Sequence, residues 1–449
     1  MADGVRRGAL DVEAVATEAL NRIEAGNPAL NAVVNYDRSY GLANAARVKA
    51  RVKAGETLPL AGVPLIVKDN IWVGGRRITQ GSKLFEDFVA PTDALAVARL
   101  VEAGAVIVGI GACSEFAAKG LTVTPLYGPT HHPMDHTLTP GGSSGGNAAA
   151  VAAGFVPLSL GTDAGGSSRR PPAHCGLVGF KPSFGAVPYG PGFVEPFWGT
   201  SALCPITRDV ADAKLMFEVM AGPHPDDPDS VEIAPLDARP MSSLKIAYSP
   251  RFGLNVPIDE EVVLAIEAGV KALRSAGYII EEADIPWPEG ITEMSVMPLQ
   301  HAGLAALYTE AWAKRRADID PDLGAQIESG GRFGAADVAK ALAASEVIRH
   351  TVGRFFNRFD LVVGPTTPCV AWPWTKLGPD MIGGKAVPPR GHAVFTPLFN
   401  HAQTPAISIP CGTGRAGLPI GLQIVGAKGR DRMVLAAAGA FETVLNGNA

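Results

Sequence analysis

The chain has 449 residues, enough to bury a large core as one big α/β unit or two ordinary ones. It is 47% hydrophobic and 18% charged, the balance of a compact chain and not of a disordered one. Lysine and arginine number 39 against 44 acids, a formal net charge of −5, which excludes the basic surplus of a nucleic-acid binder and the acidic run of a solvating tail.

The first residues lead into an amphipathic helix and not into a signal peptide's apolar core. Asp11 caps this predicted helix, whose Val15, Leu20 and Ile23 share a face, and Gly26 marks its expected end. The run from Leu60 to Val67 is short and apolar and closes on Lys68, Asp69 and Asn70. Asp93 to Ala103 reads as a helix stopped by Gly104, and Ala105 to Gly109 as a fully buried strand. The apolar run 103–110 is too short to span a bilayer, so no membrane partner is expected and the location predicted is cytoplasmic.

A glycine-dense stretch follows: Gly141-Gly142-Ser143-Ser144-Gly145-Gly146, then Gly161-Thr162-Asp163-Ala164-Gly165-Gly166-Ser167. Between the two loops, Asn147 to Gly154 is small and helix-prone, and Phe155 to Leu160 is short and apolar. Further on, Val210 to Met220 and Asp259 to Ser275, the latter closed by Gly277, read as helices. The Pro- and Asp-rich stretch from His224 to Arg239 reads as an exposed loop. Ala406 to Ile409 and Pro419 to Val425 return as core strands. The fold expected is α/β, a large mixed, mainly parallel sheet with helices on both faces. It spans 1–449 as a single domain with a more helical excursion around 210–355.

The five cysteines, Cys113, Cys175, Cys204, Cys369 and Cys411, are odd in number, scattered, and form no Cys-x-x-Cys. Buried free thiols are expected, with no disulfide framework, no metal site and no cofactor.

Glycine clusters mark places where a chain turns sharply or aims its N–H groups at something. Two such loops, each presenting a serine, suit acyl chemistry: hydroxyls to attack and backbone donors to hold an oxyanion. The N–H groups around Ser167 suit a small donor nest. Serine needs a base, and none of the nine histidines lies in a telling motif. His131, His132 and His136 precede the first loop, and His174 follows the second. Lys68, at the end of an apolar strand, has two readings. Desolvated, it is a neutral base; paired with Asp69 or another acid, it is structural, and spacing alone favours the pair. The first loop also satisfies Gly-x-Ser-x-Gly, a short pattern that glycine-rich chains match by chance. It lacks the Gly-Lys-Ser/Thr ending of a phosphate loop, since Asn147 follows Gly146.

The run from Pro140 to Gly154, continued by Gly161 to Ser167 and Cys175 to Pro182, closely resembles the signature of the amidase signature family. The segment from Leu60 to Asp69 resembles the family's lysine strand, Pro205 to Asp212 its post-signature helix, and Gly417 to Gly426 its C-terminal strand. The likeness covers nearly the whole chain and is weakest between about 224 and 355. It implies a Ser–Ser–Lys triad in which Ser167 is the nucleophile, Ser143, on a cis peptide with Gly142, the bridging serine, and Lys68 the base. It implies an oxyanion hole from the N–H groups of Ala164, Gly165, Gly166 and Ser167, with Gly142, Ser144 and Asp163 supporting the loops. The expected activity is hydrolysis of a small to medium acyl amide by a Ser167 acyl-enzyme. Two alternatives are the amidase component of a tRNA-dependent amidotransferase and a non-catalytic scaffold. A small-molecule amide is the partner expected, and a homodimer is compatible with the sequence.

After the nucleophile the family usually reads Ser-Ile-Arg, an apolar residue, then Pro; here it reads Ser167-Ser168-Arg169-Arg170-Pro171. Arg169 fits the frequent arginine, an ion-pair partner. Arg170 replaces the apolar position, and two readings stand: it faces the pocket and meets a polar or anionic substrate group, or it makes a pair of its own. Phe193, Phe197 and Trp198, in a Pro- and Gly-rich loop, are candidate acyl-pocket walls or a loop-packing cluster, and Phe116 and Tyr127 upstream are candidates of the same kind.

Overall fold

The computed structural model describes residues 1–236 and 238–447. Eleven strands form one sheet: β1 Val33–Asn35, β2 Pro64–Lys68, β3 Val106–Gly111, β4 Leu158–Asp163, β5 Val178–Lys181, β6 Ala202–Thr207, β7 Ile246–Tyr248, β8 Ile280–Glu282, β9 Leu361–Pro365, β10 Ala406–Thr413 and β11 Pro419–Gly426. Their spatial order is β1-β3-β2-β4-β6-β5-β10-β11-β9-β7-β8. The inner strands β2, β3 and β4 are buried at every residue, as near-continuous apolar runs covered on both faces must be.

The mixed α/β sheet is as the sequence led one to expect, with its two strand directions segregated. Parallel ladders join β3, β2 and β4 at one flank and β9, β7 and β8 at the other. The remaining six neighbouring pairs, through the centre and at β1, are antiparallel. The parallel share is therefore smaller than the βα alternation of the first 160 residues suggested. The short link between β10 and β11, whose last pair is Thr413 with Pro419, can join only antiparallel neighbours.

Helices Val12–Leu30, Arg38–Lys53, Gly145–Ala152 and Arg170–Cys175 pack together on one face of the sheet. Helices Leu95–Glu102, Val210–Met220, Glu260–Ser275 and Asp431–Asn446 pack on the other. Asp11 caps the first of these, its side chain accepting from Ala14 N at 3.0 Å. That helix does not stop at Gly26. It continues to Leu30, and the missing side chain at Gly26 leaves room for the ring of Phe155, which a Cβ would approach to 2.6 Å. Within the expected helical excursion, β7 and β8 return to the sheet edge, and helices Glu293–Lys314, Pro321–Gly330 and Ala335–Phe355 pack on one another. All five cysteines are free and buried. Among the described residues no helix is long and apolar enough to cross a membrane.

Candidate active site

Lys68 ends β2, between β3 and β4, so the sheet carries its side chain into the interior with no exposed surface. Its Nζ donates to Ser143 Oγ at 2.7 Å and to Thr162 Oγ1, on β4, at 2.8 Å. Asn70 Nδ2 also donates to Thr162 Oγ1, at 3.1 Å. The salt bridge that spacing favoured does not form. The neighbouring Asp69 carboxylate is turned away and accepts from Thr79 N at 2.8 Å and Gly81 N at 3.0 Å. With no carboxylate in contact, burial pushes the Lys68 ammonium down from 10.5 to about 8, against weaker opposing effects of Cys113, Glu195 and Asp163. A lysine held this way donates as an ammonium and accepts a proton as an amine near neutral pH.

Ser143 follows a cis peptide with Gly142, as the resemblance implied, and its hydroxyl is buried against Lys68. Ser144 stands at the start of the helix Gly145–Ala152, where Ser144 Oγ lies 3.3 Å from Ser168 Oγ and its N donates to Ser167 O at 3.4 Å. The two glycine loops are thereby locked to each other. Ser167 keeps 7% of its surface, and its hydroxyl has no hydrogen bond among the described residues. Ser143, Ser144 and Ser168 are fully buried, so Ser167 is the serine of the two loops that keeps some exposed surface.

The loop after β4 owes its shape to Asp163. This carboxylate accepts from Gly166 N at 2.6 Å, Ser168 N at 3.2 Å, Asn400 Nδ2 at 2.9 Å, and Arg169 Nε and Nη2 at 2.9 and 3.0 Å. Burial alone would raise its pKa, but the Arg169 guanidinium holds it well below the usual carboxylate range. Gly166 adopts φ +114°, and a Cβ there would come within 2.1 Å of Thr396 Oγ1, so only glycine fits. The Gly166 N–H is already committed to Asp163, whereas the N–H groups of Ala164, Gly165 and Ser167 donate to no acceptor among the described residues.

Beside that loop lies a cavity lined by Ala164, Gly165, Phe197, Trp198, Glu293, Gln300 and Arg390. It brings two of the expected aromatics to the donor loop. A larger apolar groove, lined by Phe184, Val187, Phe193, Ala306 and Leu307, runs along the same aromatic loop, and neither of the two is lined by Lys68, Ser143 or Ser167. The smaller cavity is the one that touches the donor loop. Trp198 is held by its Nε1 bond to Leu299 O at 2.9 Å, while Phe193 packs against Trp72, Phe85 and Phe88. Phe116 is 1% exposed and stacks on Tyr308 at 3.9 Å, inside a separate apolar cluster. Tyr127 takes a bond from Thr79 Oγ1 at 3.2 Å, within the Asp69 network. Arg170 is 5% exposed and packs behind Gly166.

Thr162, Glu293, Gln300, Arg390, Thr396 and Asn400 escaped sequence reasoning. Thr162 alone carried a signal, its place on the strand leading to Asp163; the others arrive from distant segments. Among the described residues no group of three or more His, Cys, Asp or Glu is placed to hold a metal ion.

The Amidase family model matches residues 14–435. An acylamidase of Rhodococcus erythropolis is 35% identical over 452 residues, covering 99% of this chain and 94% of that protein. A glutamyl-tRNA(Gln) amidotransferase subunit of Deinococcus radiodurans is 36% identical over 478 residues, covering 99% and 96%. Among solved structures, a bacterial aryl acylamidase of the amidase signature enzymes superposes with a TM-score of 0.91 at 28% identity, covering 99% of this chain and 95% of that one. The corresponding glutamyl-tRNA(Gln) amidotransferase subunit of Thermotoga maritima gives 0.77 at 28% identity, covering 96% and 91%.

Proposed function

The chain belongs to the amidase signature family, whose members hydrolyse amide C–N bonds, and from that premise we propose that it converts a small to medium acyl amide to the acid and ammonia or an amine through an acyl-enzyme on Ser167. The observation that carries this reading is the 2.7 Å bond from Lys68 Nζ to Ser143 Oγ, with no acid paired to the lysine.

Neutral Lys68 takes a proton from Ser143 as Ser143 takes one from Ser167, whose oxygen forms the new bond to the amide carbon. The carbonyl electrons move onto oxygen, which the N–H groups of Ala164, Gly165 and Ser167 hold; losing one such donor typically costs ~3 kcal/mol of transition-state stabilisation. When the tetrahedral centre collapses, the C–N bond breaks and Ser143 passes its proton to the departing nitrogen, recovering one from Lys68. Water then enters by the same proton route and releases the acid.

A second reading is the amidase component of a tRNA-dependent amidotransferase, which the Deinococcus relative at 36% identity supports. The structural likeness favours a free hydrolase, 0.91 to the aryl acylamidase against 0.77 to the Thermotoga protein. Five buried free thiols suit the cytoplasmic location expected. A fluorophosphonate probe tests the nucleophile: wild type should label and Ser167→Ala should not, and equal labelling sinks the assignment. Hydrolysis by the purified chain of glutamine, aliphatic amides, aryl amides and hydrazides then separates the readings. A chain silent on every amide until companion proteins and ATP are supplied is part of an amidotransferase.

A further inference from the structure

Lysine is among the residues least often buried, yet Lys119 is only 6% exposed. Its Nζ donates to Asp320, 201 positions away in the chain, and to Asp322 Oδ2 at 3.2 Å. Asp320 is itself buried and opens the helix Pro321–Gly330, its Oδ1 accepting from Asp322 N at 2.9 Å. The stretch that carries Lys119 grips Asp320 a second time. Asp320 N donates to Glu115 Oε2 at 2.7 Å, and the other oxygen of this wholly buried glutamate accepts from Ser82 Oγ at 2.6 Å. Such a pair fixes the position of both partners, since either charge alone would be stranded in the interior.

The stretch held in this way does not rest easily. Phe116 and Ala117 follow one another at φ +52° and +56°, the left-handed region that residues with side chains avoid. Such backbone persists only where its surroundings over-determine it. Here Phe116 N donates to Gln80 O at 2.9 Å, its ring stacks on Tyr308, and Gln300 Nε2 donates to Ala118 O at 3.1 Å. Lys119 closes the segment: its N donates to Ser114 Oγ, and that hydroxyl donates back to Lys119 O, each at 3.2 Å.

The far side of the segment meets the first glycine loop. Ser114 N donates to Ser143 O at 3.2 Å. The backbone from Lys119 to Leu121 lies so close to Gly142 that a Cβ there would come within 2.9 Å of Lys119 O and 2.6 Å of Leu121 N. The contact is backbone on backbone, with no side chain to absorb a displacement. A shift of residues 114–121 is therefore passed to the peptide that carries Ser143 Oγ, which sits 2.7 Å from Lys68 Nζ.

We propose that Lys119, paired with Asp320, is a positioning residue for Ser143: it pins the strained segment between the first glycine loop and the helix Pro321–Gly330, and so sets the aim of the proton relay. This rests on the reading of Ser143 as the relay serine. Lys119 acts through the backbone of 114–121 and not through chemistry of its own.

Wild type is compared with Lys119→Met, Lys119→Arg and Asp320→Asn. Asparagine caps a helix as well as aspartate does, so Asp320→Asn removes the charge and spares the helix start. Lys119→Met and Asp320→Asn should both melt earlier, as the loss of any buried pair would cause, so three other readouts decide. In amide hydrolysis both variants should lose about tenfold or more in kcat with KM within about twofold, the mark of a misaimed reacting group. Fluorophosphonate labelling of Ser167 should slow by a similar factor. Hydrogen exchange at the Ser114 amide should quicken more than exchange along the helix Asp431–Asn446, which reports general loosening. Lys119→Arg keeps the charge and should recover much of all three.

Unchanged kcat and labelling in folded Lys119→Met overturn the proposal. A lower kcat with Ser114 exchange unchanged overturns it too, because the loss then arrives by another route. If wild type takes the probe but cleaves no amide offered, the labelling rate replaces kcat. If wild type takes no probe, the amidase reading fails first, and Ser114 exchange alone judges the clamp; unchanged exchange then sinks it as well. Should Lys119→Met not fold, Asp320→Asn carries the same comparison.

Discussion

Lys68 Nζ lies 2.7 Å from Ser143 Oγ, and no carboxylate lies within salt-bridge distance of it among the described residues. A lysine in water is neutral about once in 3,000 molecules at pH 7; one held near 8 is neutral about once in ten. In the proposed relay the amine is the working form, so activity should rise with pH. We expect kcat/KM to climb about tenfold per unit below pH 7 and to level off above a midpoint near 8, read from a pH profile of the free enzyme. Lys68→Met should lower kcat by about 10²–10⁴-fold, the usual worth of a general base. A flat profile through pH 6–9 contradicts the assignment of Lys68 as base.

Thr162→Val removes the second oxygen that Lys68 donates to, and strands Asn70 Nδ2. An ammonium loses more than an amine when such an acceptor goes, so the midpoint of the acid limb should move down. The rate should fall by about tenfold, since the lysine is less firmly aimed, a loss of ~1.4 kcal/mol. Lower kcat together with an unchanged KM and a shifted limb distinguishes this positioning role from general damage.

Asp163→Asn leaves the Arg169 guanidinium buried without its counter-charge, at a cost of about 3–5 kcal/mol. The destabilisation should appear in the urea midpoint. Adding Arg169→Met to Asp163→Asn should hurt less than the sum of the two single changes, because the second removes the orphaned charge.

Gly165 and Gly166 are adjacent and should respond differently to alanine. Gly166→Ala places a Cβ on Thr396 and strains a backbone at φ +114°, so thermal stability and fluorophosphonate labelling should both drop. At Gly165 nothing lies within 4 Å of the added carbon, so Gly165→Ala should melt near wild type. Its methyl group enters the cavity mouth, and its effect should fall on KM and on acyl size preference.

The parts legible in the sequence are those where backbone geometry dictates residue type. A glycine at 166 and a lysine closing an apolar strand are chemical requirements that survive translation into letters. Reading Lys68 correctly needed more, because whether Asp69 faces it or turns toward Thr79 depends on a loop returning ten residues later. The aromatics show the opposite limit. Phe197 and Trp198 reach the cavity, but Phe116, equally apolar and nearly as close to the signature, is stacked on Tyr308 instead. Composition cannot tell these fates apart, since either packing suits an aromatic ring: Trp198 stays 54% exposed at the cavity, whereas Phe116 is buried. The walls from 293–300 and 390 stayed hidden because only tertiary packing brings such distant segments to residues 164–165.

The helix Glu293–Lys314 has one more consequence. It lies far along the chain from the glycine loops, yet Glu293, Val296, Met297, Leu299 and Gln300 all line the cavity. The proposed proton relay and the substrate wall are therefore written in separate passages of the chain. On the proposed reading, exchanging 293–300 for a relative's residues should change acyl preference in a hydrolysis panel while fluorophosphonate labelling of Ser167 is kept.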